Sequence, residues 1–219
     1  MNQVNDVSAE LERENTKDPI SSHGEIREAL TPAEREAVYR FRYSIYVEQM
    51  GRVQQHADHE NRRICEPLDA PGRIMAVFRH ETVLGTCRIN MSDASDIGFL
   101  DFWHADGFEK IFPGQVAVAT KLMVTPSSRG STLFVRLSKE TVRLAARSGA
   151  RVLLLDCNAP VKPFFERFGF VSYTSRVHPE YGEVSLMVLF FEDLERLKRI
   201  RSPLHEVLLD GNFRKFATA

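Results

Sequence analysis

Apolar positions along this chain recur with two different periods, and the switches between them outline its elements. From Thr31, the stretch Thr-Pro-Ala-Glu reads as a helix start: a threonine N-cap, proline at the first helical position and a glutamate closing a capping box. The residues that follow put Val38, Phe41, Ile45 and Tyr46 near one face, and Gly51 ends the run. After a charged loop from Arg52 to Gly72, two apolar runs, Ile74 to Phe78 and Val83 to Ile89, predict an antiparallel hairpin. Residues 91 to 115 are irregular, with a short helix expected near Leu100 to His104. A third strand is expected from Val116 to Val124. Pro126 to Ser131 then forms a turn into a long helix, where Leu133, Phe134, Leu137, Thr141, Leu144 and Ala145 share a face and Gly149 is the stop. Val152 to Leu155 is apolar throughout, as in a strand buried on both faces. A brief helix from Ala159 to Gly169, strands at Phe170 to Ser175 and Val184 to Phe191, and a basic amphipathic helix from Asp193 to Ile200 follow.

This order predicts an α+β fold: a mixed, largely antiparallel central sheet with helices on both faces. Residues 1–24 carry dense charge without periodicity and are expected to be a disordered arm, with the domain at 25–200 and a C-terminal extension at 201–219. At 219 residues the chain buries enough surface to need no staple. Its three cysteines, Cys65, Cys87 and Cys157, imply no disulfide framework. A net charge of −1 carries no footprint of nucleic-acid binding. No apolar run approaches the ~20 residues of a membrane span. The polar N-terminus does not read as a signal peptide, so a cytoplasmic location is expected.

Two segments carry chemistry. The strand–turn–helix from Lys121 to Lys139, with Arg129-Gly130 in its turn, presents backbone N–H groups at a helix start, which suits an anion; taken alone it is equally a plain tight turn. The second runs from Asn158 through Phe164-Phe165-Glu166-Arg167-Phe168-Gly169-Phe170 behind the buried strand. Together, at this spacing, they resemble the acyl-donor pyrophosphate loop and the Asn…Tyr-Glu-x-x-Gly-Phe segment of the GNAT (Gcn5-related N-acyltransferase) superfamily. Phe41-Arg42-Tyr43-Ser44-Ile45-Tyr46-Val47-Glu48-Gln49-Met50-Gly51, Val83-Leu84-Gly85-Thr86-Cys87-Arg88-Ile89 and His178-Pro179-Glu180-Tyr181-Gly182 narrow the resemblance to the acyl-homoserine-lactone synthases and the long-chain N-acyl amino acid synthases.

The resemblance implies an N-acyltransferase that uses an acyl thioester, on acyl carrier protein or coenzyme A, to acylate a small-molecule amine by direct attack. The donor would be held by Met123, Val124, Arg129, Gly130, Ser131, Thr132 and Asn158. Ser131, Thr132, Leu133 and Phe134 stand where the family carries a further glycine, which favours a carrier-protein donor. Phe165 stands where many relatives have a general-acid tyrosine, leaving Tyr173 and His178 as acid candidates. Val118 and Lys121 stand where the lactone synthases carry a Glu-x-x-Arg pair. Two other readings are kept: an ordinary acetyl-coenzyme A N-acetyltransferase, and a non-catalytic module that binds acyl thioesters.

Single residues then divide. Arg42 either snorkels from a helix edge or serves as a fixed cation for the acceptor or its loop. Arg88 either faces solvent or, as the resemblance implies, faces the site. Replacing either is expected to lower turnover and spare stability. His56, Asp58, His59 and Glu60 read as a solvated acidic loop, or as an amine-binding loop in which Asp58 and Glu60 are candidate carboxylates for an acceptor ammonium; their spacing is imperfect for a metal and no third distant ligand is evident. Cys157 reads as a small buried residue rather than a nucleophile. Lys198-Arg199-Ile200-Arg201 reads as a solvated helix end or a dock for an acidic carrier protein.

Overall fold

The capping box forms as the sequence signals. In this computed structural model, which describes residues 24–94, 101–128 and 132–210, the Glu34 N–H donates to the Thr31 hydroxyl and the Thr31 N–H donates to the Glu34 carboxylate. Helix α1 (Pro32–Tyr43) starts there and widens into a π-helical turn over Ser44–Gln49 before Gly51, at φ +61°. Its apolar face, Val38, Phe41 and Ile45, packs on Ile74, Ala76 and Phe78.

The sheet beneath has seven strands in the order β1-β4-β5-β6-β7-β9-β8. These are β1 (Glu25–Glu28), β4 (Arg73–Arg79), β5 (Thr82–Met91), β6 (Val116–Val124), β7 (Val152–Cys157), β8 (Val171–His178) and β9 (Gly182–Phe190). A separate two-stranded ribbon, β2 (Ala57–Asp58) with β3 (Arg63–Ile64), lies in the charged loop. Within the seven, only β6 and β7 pair in parallel. Parallel neighbours need a long crossover, and helix α3 (Thr132–Arg147) supplies it. Leu133, Leu137 and Ala145 of α3 enter the main core with Met75, Cys87, Leu153 and Leu155, and helix α4 (Lys162–Phe168) joins the same core. On the opposite sheet face, a second cluster gathers Val116, Val118, Val152, Leu154 and Leu186 under helix α2 (Ala105–Glu109). The residues of β7 alternate between the two clusters, which is why the strand is apolar throughout.

Three elements depart from the sequence expectation. Order begins one strand before Thr31. Glu25-Ile26-Arg27-Glu28 shows no alternation because three of its four residues are charged, yet it pairs with β4 as an edge strand. Ion pairs hold it there: Glu28 with Arg73 at 2.6 Å, and Arg27 with Glu34. The short helix near Leu100 to His104 shifts along the chain; α2 begins after His104, which sits at φ +51°, and Leu100 lies outside the described residues. Finally, the fold continues past residue 200. After α5 (Leu194–Arg199), α6 (His205–Leu209) sends Val207 and Leu208 into the main core along with Leu204. Five residues are too few to display a helical period. Residues 1–23 and 211–219 of the expected arm and extension lie outside the described residues.

What positions the site is a divergence in the sheet. Pairing between β6 and β7 covers Val116–Val118 against Val152–Leu154 and stops, although β6 runs on to Val124 and β7 to Cys157. On its other side β6 stays bonded to β5, but Lys121 and Leu122 oppose the single residue Cys87 in a bulge. Bulges sharpen twist and bend the strand that carries them. Lys121 takes the left-handed conformation at φ +55°, a strained state for a non-glycine residue.

Candidate active site

The diverging strands open a cavity of about 1100 Å³ that reaches both faces of the sheet. Toward α3 and α4 its lining is apolar: Val124, Phe134, Val135, Leu155, Phe164 and Phe165. Toward α1 and the β8–β9 turn it is polar and aromatic, with Tyr46, Arg52, Glu66, Lys121, Asp156, His178 and Tyr181. Along the gap, the β7-facing edge of β6 beyond Val118 has no strand partner, and Met123 and Val124 lie on that stretch.

A buried charge network forms the polar wall. Arg42 donates to both carboxylate oxygens of Asp69, at 2.7 and 2.9 Å. Arg88 donates to Asp69 at 3.1 Å, to Glu66 at 2.7 Å and, through Nε, to the Thr120 hydroxyl at 3.1 Å. Lys121 Nζ reaches the other Glu66 oxygen at 2.5 Å and donates to the Tyr181 hydroxyl at 3.1 Å. That hydroxyl in turn donates to Gln54 at 3.2 Å. Burial raises the pKa of Glu66, but the charges of Lys121 and Arg88 outweigh it and hold the carboxyl down at about 2.

Asp156 is the opposite case. It is the penultimate residue of the apolar strand β7, on the same face as Val152 and Leu154, and burial pushes its pKa up to about 6, moderated by the charge of Lys121. His178 Nδ1 accepts the Glu180 N–H at 3.0 Å, and burial lowers the ring's pKa, so the neutral imidazole stacks on Tyr181 with centroids 4.3 Å apart.

Arg42 and Arg88 are core residues, neither snorkelling nor facing solvent: Arg42 is 0% and Arg88 1% exposed. Arg88 reaches the cavity lining, whereas Arg42 stands behind it. Asp58 and Glu60 are elsewhere. Asp58 accepts from the Asn61 backbone and side chain and from Arg63, while Glu60 is exposed; neither lines the cavity. The Tyr173 hydroxyl donates to the Trp103 carbonyl at 2.6 Å, also outside the lining. Asn158 lines the cavity, but its amide donates to the carbonyls of Tyr181 and Glu183, tying the β8–β9 turn to β7. Thr132 is exposed at the start of α3. Arg129, Gly130 and Ser131 lie outside the described residues. Cys157 sits 3.4 Å from Met187 Sδ, and burial, with Asp156 beside it, pushes its thiol up to about 11. Among the described residues, no three His, Cys, Asp or Glu side chains gather as a metal site would require.

Sequence reading passed over Glu66, Asp69 and Asp156. A carboxylate near the end of an otherwise apolar strand was the available signal for Asp156. For Glu66 and Asp69 there was little: both sit in a loop rich in charge, and only folding sets them against arginines 19 to 27 residues away.

Solved structures share this architecture. FeeM, an N-acyl amino acid synthase from uncultured soil microbes, is 14% identical with a TM-score of 0.63, over 80% of this chain and 95% of that one. The coenzyme A-dependent acyl-homoserine lactone synthase BjaI is 16% identical at TM-score 0.58, over 77% and 82%. An acyl-CoA N-acyltransferase from Pseudomonas aeruginosa is 15% identical at TM-score 0.52, over 75% and 97%. At these identities the likeness establishes the fold, which is that of the GNAT enzymes. Among curated proteins, none matches the chain by sequence. The sequence signature described as N-acyl amino acid synthase FeeM matches residues 37–189, which hold the divergent strands and every member of the charge network, and the chain therefore belongs to that acyltransferase family.

Proposed function

We propose that this acyltransferase moves a medium or long acyl group from a thioester directly to the amine of an amino acid or similar small molecule. One observation carries the reading. The unpaired edge of β6 and Asp156 both line one largely apolar cavity of about 1100 Å³, above the roughly 300–1,000 Å³ usual for small-ligand sites. An acetyl group would leave most of that space unfilled.

Each part has a task. The apolar walls around Phe134, Phe164 and Leu155 would bury the donor's arm and acyl chain, and exclude water that would otherwise hydrolyse the thioester. Backbone N–H groups near Met123 and Val124 would donate to the thioester oxygen as negative charge develops there. Asp156, on the other strand, would take a proton from the acceptor's ammonium, directly or through one water, because only the neutral amine attacks. A carboxyl titrating near 6 is ionised at pH 7 and still basic enough to serve. Phe165 cannot protonate the departing sulfur. A thiol of pKa about 8.5 needs no obligatory acid, since its thiolate leaves readily near neutrality. Arg88 and Lys121 would fix the polar wall against which the acceptor docks. Cys157, with its raised pKa, stays a packing residue.

The sequence around Thr132 and Phe134, which stands where the family carries a further glycine beside the pyrophosphate, favours a carrier-protein donor. Turnover of acyl thioesters of graded length with a mixture of amino acids, followed by mass spectrometry for an amide product, tests the reaction. Hydrolysis without amide formation, or no dependence on the amine, overturns it.

A further inference from the structure

Lys121 and Asp156 stand on the two strands that part company, and the cavity lies between them. Each is incompletely matched. The buried network contains three cations, Arg42, Arg88 and Lys121, against two carboxylates, Asp69 and Glu66. All four carboxylate oxygens are already engaged: those of Asp69 by Arg42, Arg88 and the Glu66 N–H, and those of Glu66 by Arg88 and Lys121. One positive charge is left over. Among the described residues the polar partners of Lys121 Nζ are Glu66 and Tyr181, with the Tyr46 ring 5.1 Å away, so of its three N–H donors one has no oxygen partner at the cavity lining. Its backbone keeps a left-handed conformation, a strain that persists only where the surroundings over-determine it and that gathers at ligand-holding positions. Across the gap, Asp156 also lines the cavity, and among the described residues it has no salt-bridge partner. Lys121 and Asp156 line the same cavity without forming an ion pair with each other among the described residues, and the cavity offers the space for a ligand to meet both.

The geometry points to Lys121 and Asp156 as a split ion pair that recognises the zwitterion of an α-amino acid, Lys121 holding its carboxylate while Asp156 receives its ammonium. This rests on the acyl-transfer reading above and adds the feature that sorts acceptors. A neutral zwitterion brings one charge of each sign, so the buried network gains a counterion and the proton acceptor gains its substrate in one step. A plain amine supplies only the second half.

The test is a matched comparison with one acyl thioester: a free amino acid against the decarboxylated amine bearing the same side chain. The wild-type protein is expected to favour the amino acid in kcat/KM by at least tenfold. Lys121→Met should shrink that ratio at least tenfold, and Lys121→Arg should keep most of it. Because Lys121→Met deprives buried Glu66 of a partner, the double variant Glu66→Gln/Lys121→Met supplies a charge-matched background, with circular dichroism reporting the fold. Equal acylation of both acceptors by the wild-type protein overturns the inference even if no variant folds. So does a ratio that survives in either folded Met variant. Failure to acylate any amine defeats the acyl-transfer reading itself, a distinguishable result.

Discussion

Asp156 and Glu66 are carboxylates of one cavity whose pKa values are driven apart, to about 6 and about 2. Such divergence separates a proton carrier from a fixed charge. For Asp156 the folded value lies above the ordinary one, so the native state binds the proton more tightly. Its ionisation opposes folding, and stability falls as pH rises from about 4 to about 6. Lys121 on β6, Cys157 next to it on β7 and Tyr173 on β8 share its field. Asp156→Asn is therefore expected to cut kcat at least a hundredfold, within the 10²–10⁴ of general-base contributions, while raising stability at pH 7 by about 1–3 kcal/mol. Wild-type activity should decline as pH drops below about 6. A pH–rate profile together with thermal denaturation of the variant checks both signs, and a less stable Asp156→Asn would contradict the account. Glu66 works in reverse: its contribution is present above about pH 4.5 and lost as pH falls toward 2.

Arg42 and Arg88 show what sequence reading found and what it missed. The resemblance of Phe41–Gly51 and Val83–Ile89 to known motifs singled them out, but nothing along the chain revealed Asp69, to which both are hydrogen-bonded in the interior. The expectation that their loss would spare stability does not suit a buried pair, since removing one partner strands a charge at about 3–5 kcal/mol. Arg42→Ala is expected to lower the unfolding free energy by that amount, measured by urea denaturation. Arg42→Ala/Asp69→Ala should recover part of it. Cys157 follows the opposite course: with its thiol pushed up to about 11 by burial, Cys157→Ala should keep most activity, and no acyl adduct should appear on the protein with donor alone.

Elements with a full period were legible: α1, the β4–β5 hairpin, β6, α3 and β7 lie within a few residues of where the apolar pattern places them. Those that failed were short or held by charge, as with β1 and α6. The bulge at Lys121–Leu122 is a different sort of omission, because an extra residue in a strand changes no hydrophobic period over so short a stretch. Its geometry depends on β5 coming close. At Gly85 an added Cβ would meet the Met123 carbonyl at 3.0 Å and Val124 Cγ1 at 2.9 Å. Backbone cannot yield as a side-chain tip does, so Gly85→Ala should displace the Met123–Val124 edge. A stability loss of about 1–3 kcal/mol is expected, together with a kcat loss beyond any change in KM. A variant with native kcat would separate that edge from catalysis.

At the scale of the whole molecule, the chain order of helices and strands was readable, but the cleft was not. A cleft arises from where strand pairing stops, and β6 and β7 are separated in sequence by all of α3. The donor question also belongs here. With Thr132 and Phe134 in place of the family's further glycine, acyl carrier protein is expected to exceed the matching acyl-coenzyme A in kcat/KM by at least tenfold across chain lengths; equal values would assign the donor to coenzyme A as readily.

The brevity of the β6–β7 contact has a mechanical side. Three residue pairs join a plate of four strands, β1-β4-β5-β6, to one of three, β7-β9-β8, so the sheet behaves as two leaves on a narrow seam rather than a continuous slab. Compliance concentrates at such a seam, where few ladder bonds resist bending, while each leaf keeps its own antiparallel stiffness. In deuterated solvent the amides of Leu122 to Val124 that face the gap should exchange well before those of Val152 to Leu154, although both stretches belong to central strands.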